Sequence, residues 1–177
     1  MTVGGWSRAK FFRGFVDGGL STLGIVIGAS SAESAVIVAA GVGGALANAV
    51  SNVLSAFSAE GAERYDNLRQ VEKAMVDRDL KDTRLEMENS RLTLKAGVID
   101  GIATMFGGAI PILPYIWLQT SQAIFVSTGV VIAAISLIGV HLGRVSRRNI
   151  FVSVIKMAFY AILVAVAVYF IQKAIIP

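Results

Sequence analysis

The sequence has no cysteine, one histidine and only three prolines in 177 residues. Without cysteine there is no disulfide framework, no thiolate nucleophile and no cysteine-based zinc site. The single histidine, His141, cannot form a histidine cluster around a metal and leaves a histidine-dependent catalytic triad without support. Metal chemistry must therefore fall to carboxylates, amides, hydroxyls, methionine sulfur or backbone carbonyls. Charge is scarce as well. Only 16% of the residues are charged, and 17 of the 28 acidic and basic side chains lie between Glu60 and Lys95, which leaves long tracts almost uncharged. With a mean hydropathy of +0.68, the chain carries more apolar surface than a soluble domain of this size can bury. The formal net charge of +4 does not indicate a nucleic-acid partner, because the basic residues sit where membrane topology wants them.

What is present is a set of apolar tracts at 14–32, 35–57, 96–118, 121–143 and 150–172. Each is near the ~20 residues that cross ~30 Å of hydrocarbon, and in lipid each must be helical to satisfy its own backbone. The expected fold is all-α: a polytopic membrane protein of five transmembrane helices, with a charged helical segment between the second and third. The domains read as 1–57 (an amphipathic start and two spans), 58–95 (the charged segment) and 96–177 (three spans). Basic residues set the orientation. Arg8, Lys10 and Arg13 precede the first span, eight lysines and arginines from Arg64 to Lys95 separate the second and third, and Arg144, Arg147 and Arg148 separate the fourth and fifth. The opposite loops, 30–34 and 115–122, carry none, so the N-terminus is expected in the cytoplasm and the C-terminus outside the cell membrane. The first span is not read as a cleaved signal, because Asp17 and its neighbouring glycines interrupt the apolar tract. Trp6, Phe11, Phe12, Tyr115, Trp117 and Tyr169 suit interfacial belts.

The charged segment is too polar to enter the bilayer. It contains no proline, and after Gly61 no glycine. Apolar residues such as Tyr65, Leu68, Val71 and Met75 recur at helical spacing, predicting one or two amphipathic helices continuous with the second span. Its nine carboxylates and eight basic residues form i,i+4 ion pairs on a solvated face in the simplest reading. A sharper reading is a hard-cation site. Glu60, Glu63 and Asp66, spaced i, i+3, i+6, stay near one helical face, with Glu72 a further candidate, and such oxygen ligands suit Mn²⁺, Mg²⁺ or Fe²⁺.

Within the membrane, Asp17 and Asp100 each lie about one turn inside a span, and an ionisable group there costs about 2.5–3.5 kcal/mol at a helix centre. Ser21, Gly24 and Gly28 follow Asp17 at helical spacing. In the second span Gly44, Asn48, Asn52 and Ala56 lead in i+4 steps to Glu60. Such stripes read as helix-packing glue or as a water-accessible path along Asp17, Ser21, Asn48, Asn52 and Asp100, and the two asparagines favour the path. Met105 offers a soft sulfur or ordinary packing. Pro111 and Pro114 should bend or break the third span near its outer end. There is no recognisable nucleophile–base pair, so no enzyme is expected.

Several of these stretches resemble the vacuolar iron transporter family. They are the run from Arg13 to Leu20 followed by Gly24 and Gly28, Leu54 to Glu60, Gly108 to Tyr115, and the connection from Gly143 to Asn149. The chain looks like a divergent prokaryotic-type member with a short cytoplasmic domain. The resemblance implies a homodimer that exports Fe²⁺, Mn²⁺ and related divalent ions from the cytoplasm in exchange for protons. The cation would be cargo, with no permanently bound cofactor. The resemblance also implies that the first helices of the two subunits line the path, that Asp17 takes part in metal passage, and that carboxylates beginning with Glu60 gather the ion. Asn52 or Asn48 would assist Asp17. Two departures stand out: the family's second-helix methionine falls here on Asn52 or Ala56, and its glutamate-rich domain is replaced by mixed Asp and Glu with many basic residues. The alternative from the residues alone is a non-transporting membrane protein whose cytoplasmic helices bind a partner.

Overall fold

A computed structural model describes residues 3–74, 84–145 and 149–175. The chain forms α1 (Val3–Gly28), α2 (Ser34–Ser55), a π-helical turn (Ala56–Glu60), α3 (Gly61–Ala74), α4 (Arg84–Ile112), the short α5 (Pro114–Trp117), α6 (Thr120–Val145) and α7 (Ile150–Ile175), with no strand among the described residues. Five helices there are long and apolar enough to cross a membrane, and they begin and end within a few residues of the apolar tracts, apart from the extensions noted below. The protein is an all-α, multi-pass membrane protein.

Two of the five are too long for the bilayer alone. The apolar helix from Ser34 runs on to Val71, 38 residues, or about 57 Å against ~30 Å of hydrocarbon. The π-helical turn carries it from α2 into α3 without a break. α4 begins at Arg84, well before its apolar part, so both helices extend past the membrane at the chain's basic end. Residues 75–83, with Met75, Val76 and Leu80 of the expected amphipathic pattern, lie outside the described residues.

α1 is the centre of the bundle and packs against α2, α4, α6 and α7. Its closest approach is to α4, and glycine is what permits it. A Cβ on Gly14 would run into the Asp100 carbonyl oxygen, one on Gly18 into that of Thr104, and one on Gly107 into that of Phe15. In lipid there is no hydrophobic drive to press helices together. Backbone approach at small residues supplies the dispersion contact instead. Away from the basic end, Leu23, Val26, Ile37, Ile112, Val131 and Ile135 fill a compact apolar core. α7 buries only Ala161 and presents Phe151, Ile155, Phe159 and Phe170 outward, as a lipid-facing helix should.

The prolines act near the outer end as their chemistry demands. α4 stops at Ile112, just after Pro111, and Pro114 opens α5. The Pro111 carbonyl accepts a hydrogen bond from Ser127 Oγ at 2.8 Å, which ties the break to α6. Tyr115 differs from the belt reading. At 2% exposure it belongs to the core, because the break after Ile112 turns it inward, whereas Trp117 and Tyr169 are exposed.

Candidate transport site

The polar residues of three helices meet at the basic half of the bundle. Asn48 and Asn52, one turn apart on α2, both face Asp17 on α1. Asn52 Nδ2 donates to Asp17 Oδ2 at 2.8 Å, and Asn48 Nδ2 donates to the same oxygen at 3.1 Å. A carboxylate can only accept, so both amides must present nitrogen to it. Asn48 Nδ2 also donates to Ser21 Oγ at 2.8 Å, and Ser21 in turn donates to the Gly18 carbonyl. Asn52 Nδ2 reaches Thr104 Oγ1 at 2.8 Å, and that hydroxyl donates to the Asp100 carbonyl at 2.8 Å. One oxygen of Asp17 thus holds two N–H groups that are themselves fixed by hydroxyls on α1 and α4. Asp17 is exposed on the surface of the single chain.

Asp100 plays a different part. Its side chain is fully buried at the α1–α4 crossing, and the Arg13 guanidinium donates to its Oδ2 in an ion pair. The other oxygen, Oδ1, has no hydrogen-bond partner. It sits against Gly14, where a Cβ would lie 2.7 Å from it. The space that would let water or an ion reach this carboxylate is filled by α1 itself.

The expected path residues therefore divide. Asp17, Ser21, Asn48 and Asn52 come together, while Asp100 touches the group only through its backbone carbonyl. Gly24 and Gly28 do not extend the polar stripe, since a Cβ on either would come to ordinary contact distance of Val168 of α7, which covers that face beyond Leu20. Met105 is 48% exposed on the outward side of α4, away from the cluster. Glu63 and Asp66 are exposed on α3, where Asp66 accepts from Gln70 Nε2 at 3.1 Å. The side chains of Glu60 and Glu72 lie outside the described residues. Among the described residues no group of three or more His, Asp or Glu gathers as a ready metal cage. Any cation held here would use the free oxygen of Asp17, with amide oxygens joining if Asn48 or Asn52 turns over.

Sequence reasoning missed Thr104 and the pairing of Arg13 with Asp100. The first was legible in principle as an i,i+4 partner of Asp100 on one face of α4. The second could have been sought because Arg13, just before the first span, and Asp100, one turn inside the third, both fall near the basic end of their helices.

Comparison with known proteins agrees with this architecture. The sequence profile described as the VIT family matches residues 65–173. An uncharacterised protein of Methanocaldococcus jannaschii is 41% identical over 177 residues, covering 98% of this chain and 93% of that protein. Vacuolar iron transporter 1 of Oryza sativa subsp. japonica is 28% identical over 112 residues, 62% of this chain and 44% of the rice protein. Vacuolar iron transporter 2 of the same plant is 28% identical over 132 residues, 71% and 53% of the two chains. On the profile match and the archaeal relative, the chain belongs to the VIT family, whose members are transporters and not enzymes.

Proposed function

We propose that the chain transports divalent cations of the Fe²⁺ and Mn²⁺ type across the cell membrane, out of the cytoplasm, as a homodimer and in exchange for protons. Membership of the family supports metal-ion transport in general. The observation that carries the finer reading is Asp17: an exposed carboxylate within a membrane span, held by two amides through one oxygen. A charge so placed is costly against lipid, so it marks a path or a partner. A second copy laid against this face would remove Asp17 from lipid and put two carboxylates beside one passage, which supports the dimer. The oxygen-rich set of Asp17, Asn48, Asn52 and Ser21 favours harder cations over thiophilic ones. A carboxylate that releases its metal can take up a proton, which supports the exchange. The distribution of lysine and arginine supports an N-terminus in the cytoplasm and a C-terminus outside. The carboxylates beginning with Glu60, including Glu63, Asp66 and Glu72, would raise the local cation concentration at the cytoplasmic mouth.

The test is flux into proteoliposomes of Fe²⁺, Mn²⁺, Co²⁺, Ni²⁺ and Zn²⁺, with and without a pH gradient. Wild type should carry Fe²⁺ and Mn²⁺ and respond to the gradient, and Asp17→Ala should carry none. Unchanged flux in that variant would remove Asp17 from the mechanism. Absence of both flux and metal-induced thermal stabilisation in the wild type would favour a partner-binding role for α3.

A further inference from the structure

Asp17 and Ser21 of α1 face Asn52 and Asn48 of α2, so the two helices pair polar side chains over one turn. The next level is different in kind. One turn beyond Ser21 comes Ile25, and one turn before Asn48 comes Gly44. The Cδ1 methyl of Ile25 lies over that glycine so closely that a Cβ there would collide with it. The level after is apolar too. Ile112 Cγ1 and Val26 Cγ1 close over Gly41, 2.9 and 3.2 Å from where its Cβ would stand. Polar side chains run out at the same point. α2 carries none between Asn48 and Ser34, fourteen residues or about 21 Å. α1 carries none between Thr22 and Ser30, about 12 Å, and Thr22 is itself fully buried beside Gly108 of α4.

Such walls offer a bare cation no ligand, and a hydrated one is stopped where an apolar constriction sheds its water. Ile25 stands at the first such level past Asp17. It also differs from the contacts that hold α1 to α4. At Gly14, Gly18 and Gly107 the nearest atoms are backbone oxygens, so those helices part only as wholes. At Gly44 the nearest atom is the end of a side chain, which rotation about its own torsions withdraws. We propose that Ile25, seated on Gly44, is the outer closure of the cation path. Seated, it joins Asp17 to the basic end of the bundle only, and its withdrawal opens the way onward. The proposal rests on the transport reading of Asp17 and names the residue that keeps the two sides of the membrane from being connected.

The chain has no cysteine, so one introduced thiol reports water access without background. Ser21→Cys in liposomes of known orientation is treated with a charged, membrane-impermeant methanethiosulfonate from either side, with no metal present. Labelling should occur from the basic side and not from the opposite one. Adding Ile25→Ala should bring the opposite-side rate to within a few-fold of the basic-side rate. Ile25→Val, a smaller change that secures the test should the alanine variant fail to fold, should raise it less but measurably. Equal labelling from both sides with Ile25 in place overturns the proposal, and so does no labelling from either. An opposite-side rate that both variants leave unchanged reduces the contact to packing and overturns it as well. The transport reading fails separately: absent metal flux in the wild type, beside one-sided labelling that depends on Ile25, would remove the cargo and uphold the closure.

Discussion

Asp17 and Asp100 are the same residue type, each near the basic end of a membrane helix, on two helices that touch. Their surroundings make them opposites. Asp17 is exposed and takes two neutral amide donors on one oxygen. Asp100 is fully buried and takes one charged donor, Arg13, whose side chain is 54% exposed. A neutral donor leaves the carboxylate's charge available to a passing cation, whereas a guanidinium cancels it. Glycine decides which outcome each receives. Gly14 and Gly18 draw α1 onto α4 so closely that Asp100 is sealed by backbone. On the other face of α1, α2 meets Asp17 through side chains and leaves one side open. The intramembrane carboxylate that is hidden holds two helices together, and the exposed one is the residue we propose meets the cation.

Separate substitutions break this comparison. The largest effect is expected at Asp17: Asp17→Ala should abolish metal flux in proteoliposomes while leaving the melting temperature close to wild type, because an exposed side chain supplies little packing. If flux and folding fall together, Asp17 is as structural as its counterpart. Asp100 should give the reverse. Asp100→Ala removes the buried carboxylate that Arg13 engages and opens a cavity at the tightest crossing, costing about 3 kcal/mol, the low end of the range for a broken buried pair because Arg13 is half exposed. Chemical denaturation in detergent measures this. Arg13→Met with Asp100→Leu should recover most of the loss, since replacing both charges removes the desolvation cost along with the attraction. Failure of that rescue would give the pair a role beyond holding α1 to α4.

This contrast was only partly legible in the sequence. The spans were, because hydropathy and helical length are local quantities, and so was the Asp17–Asn48–Asn52 group, because i+4 stripes on adjacent helices can be read from each helix alone. The roles of Asp100 and Arg13 were not. They depend on which faces of α1 and α4 meet, and that follows from Gly14, Gly18 and Gly107 acting together across helices distant in sequence. Gly24 and Gly28 show the same limit. Read along one helix they extend the polar stripe, yet they face the apolar Val168 of α7. Tyr115 was misplaced in an interfacial belt because the helix break after Ile112 re-aims it.

A smaller effect should separate the two amides on Asp17. Asn52 joins Asp17 to Thr104, whereas Asn48 joins it to Ser21 of the same helix as the carboxylate. Asn52→Ala therefore removes a link between three helices and should lower apparent metal affinity by about 10–100-fold, as loss of a group that orients a ligand commonly does. Asn48→Ala should cost less, because Ser21 remains to fix that side. Concentration dependence of flux distinguishes them, and equal losses would mean that both amides contact the ion directly.

The smallest effect belongs to the exposed carboxylates of α3. Glu63 and Asp66 lie beyond the membrane-spanning part of the long second helix, so neutralising them removes no packing and should change stability by no more than about 0.5 kcal/mol. The contribution proposed for them is to the field at the mouth. Glu63→Gln with Asp66→Asn should raise the KM for metal a few-fold at low ionic strength and leave the maximal rate unchanged, because the ion still reaches an intact Asp17. Raising the salt should erase the difference, since the Debye length falls from about 30 Å at 0.01 M to about 8 Å at 0.15 M. A drop in maximal rate that persists at high salt would instead make these residues ligands in the transport cycle. The carboxylate that matters would then no longer be confined to the membrane.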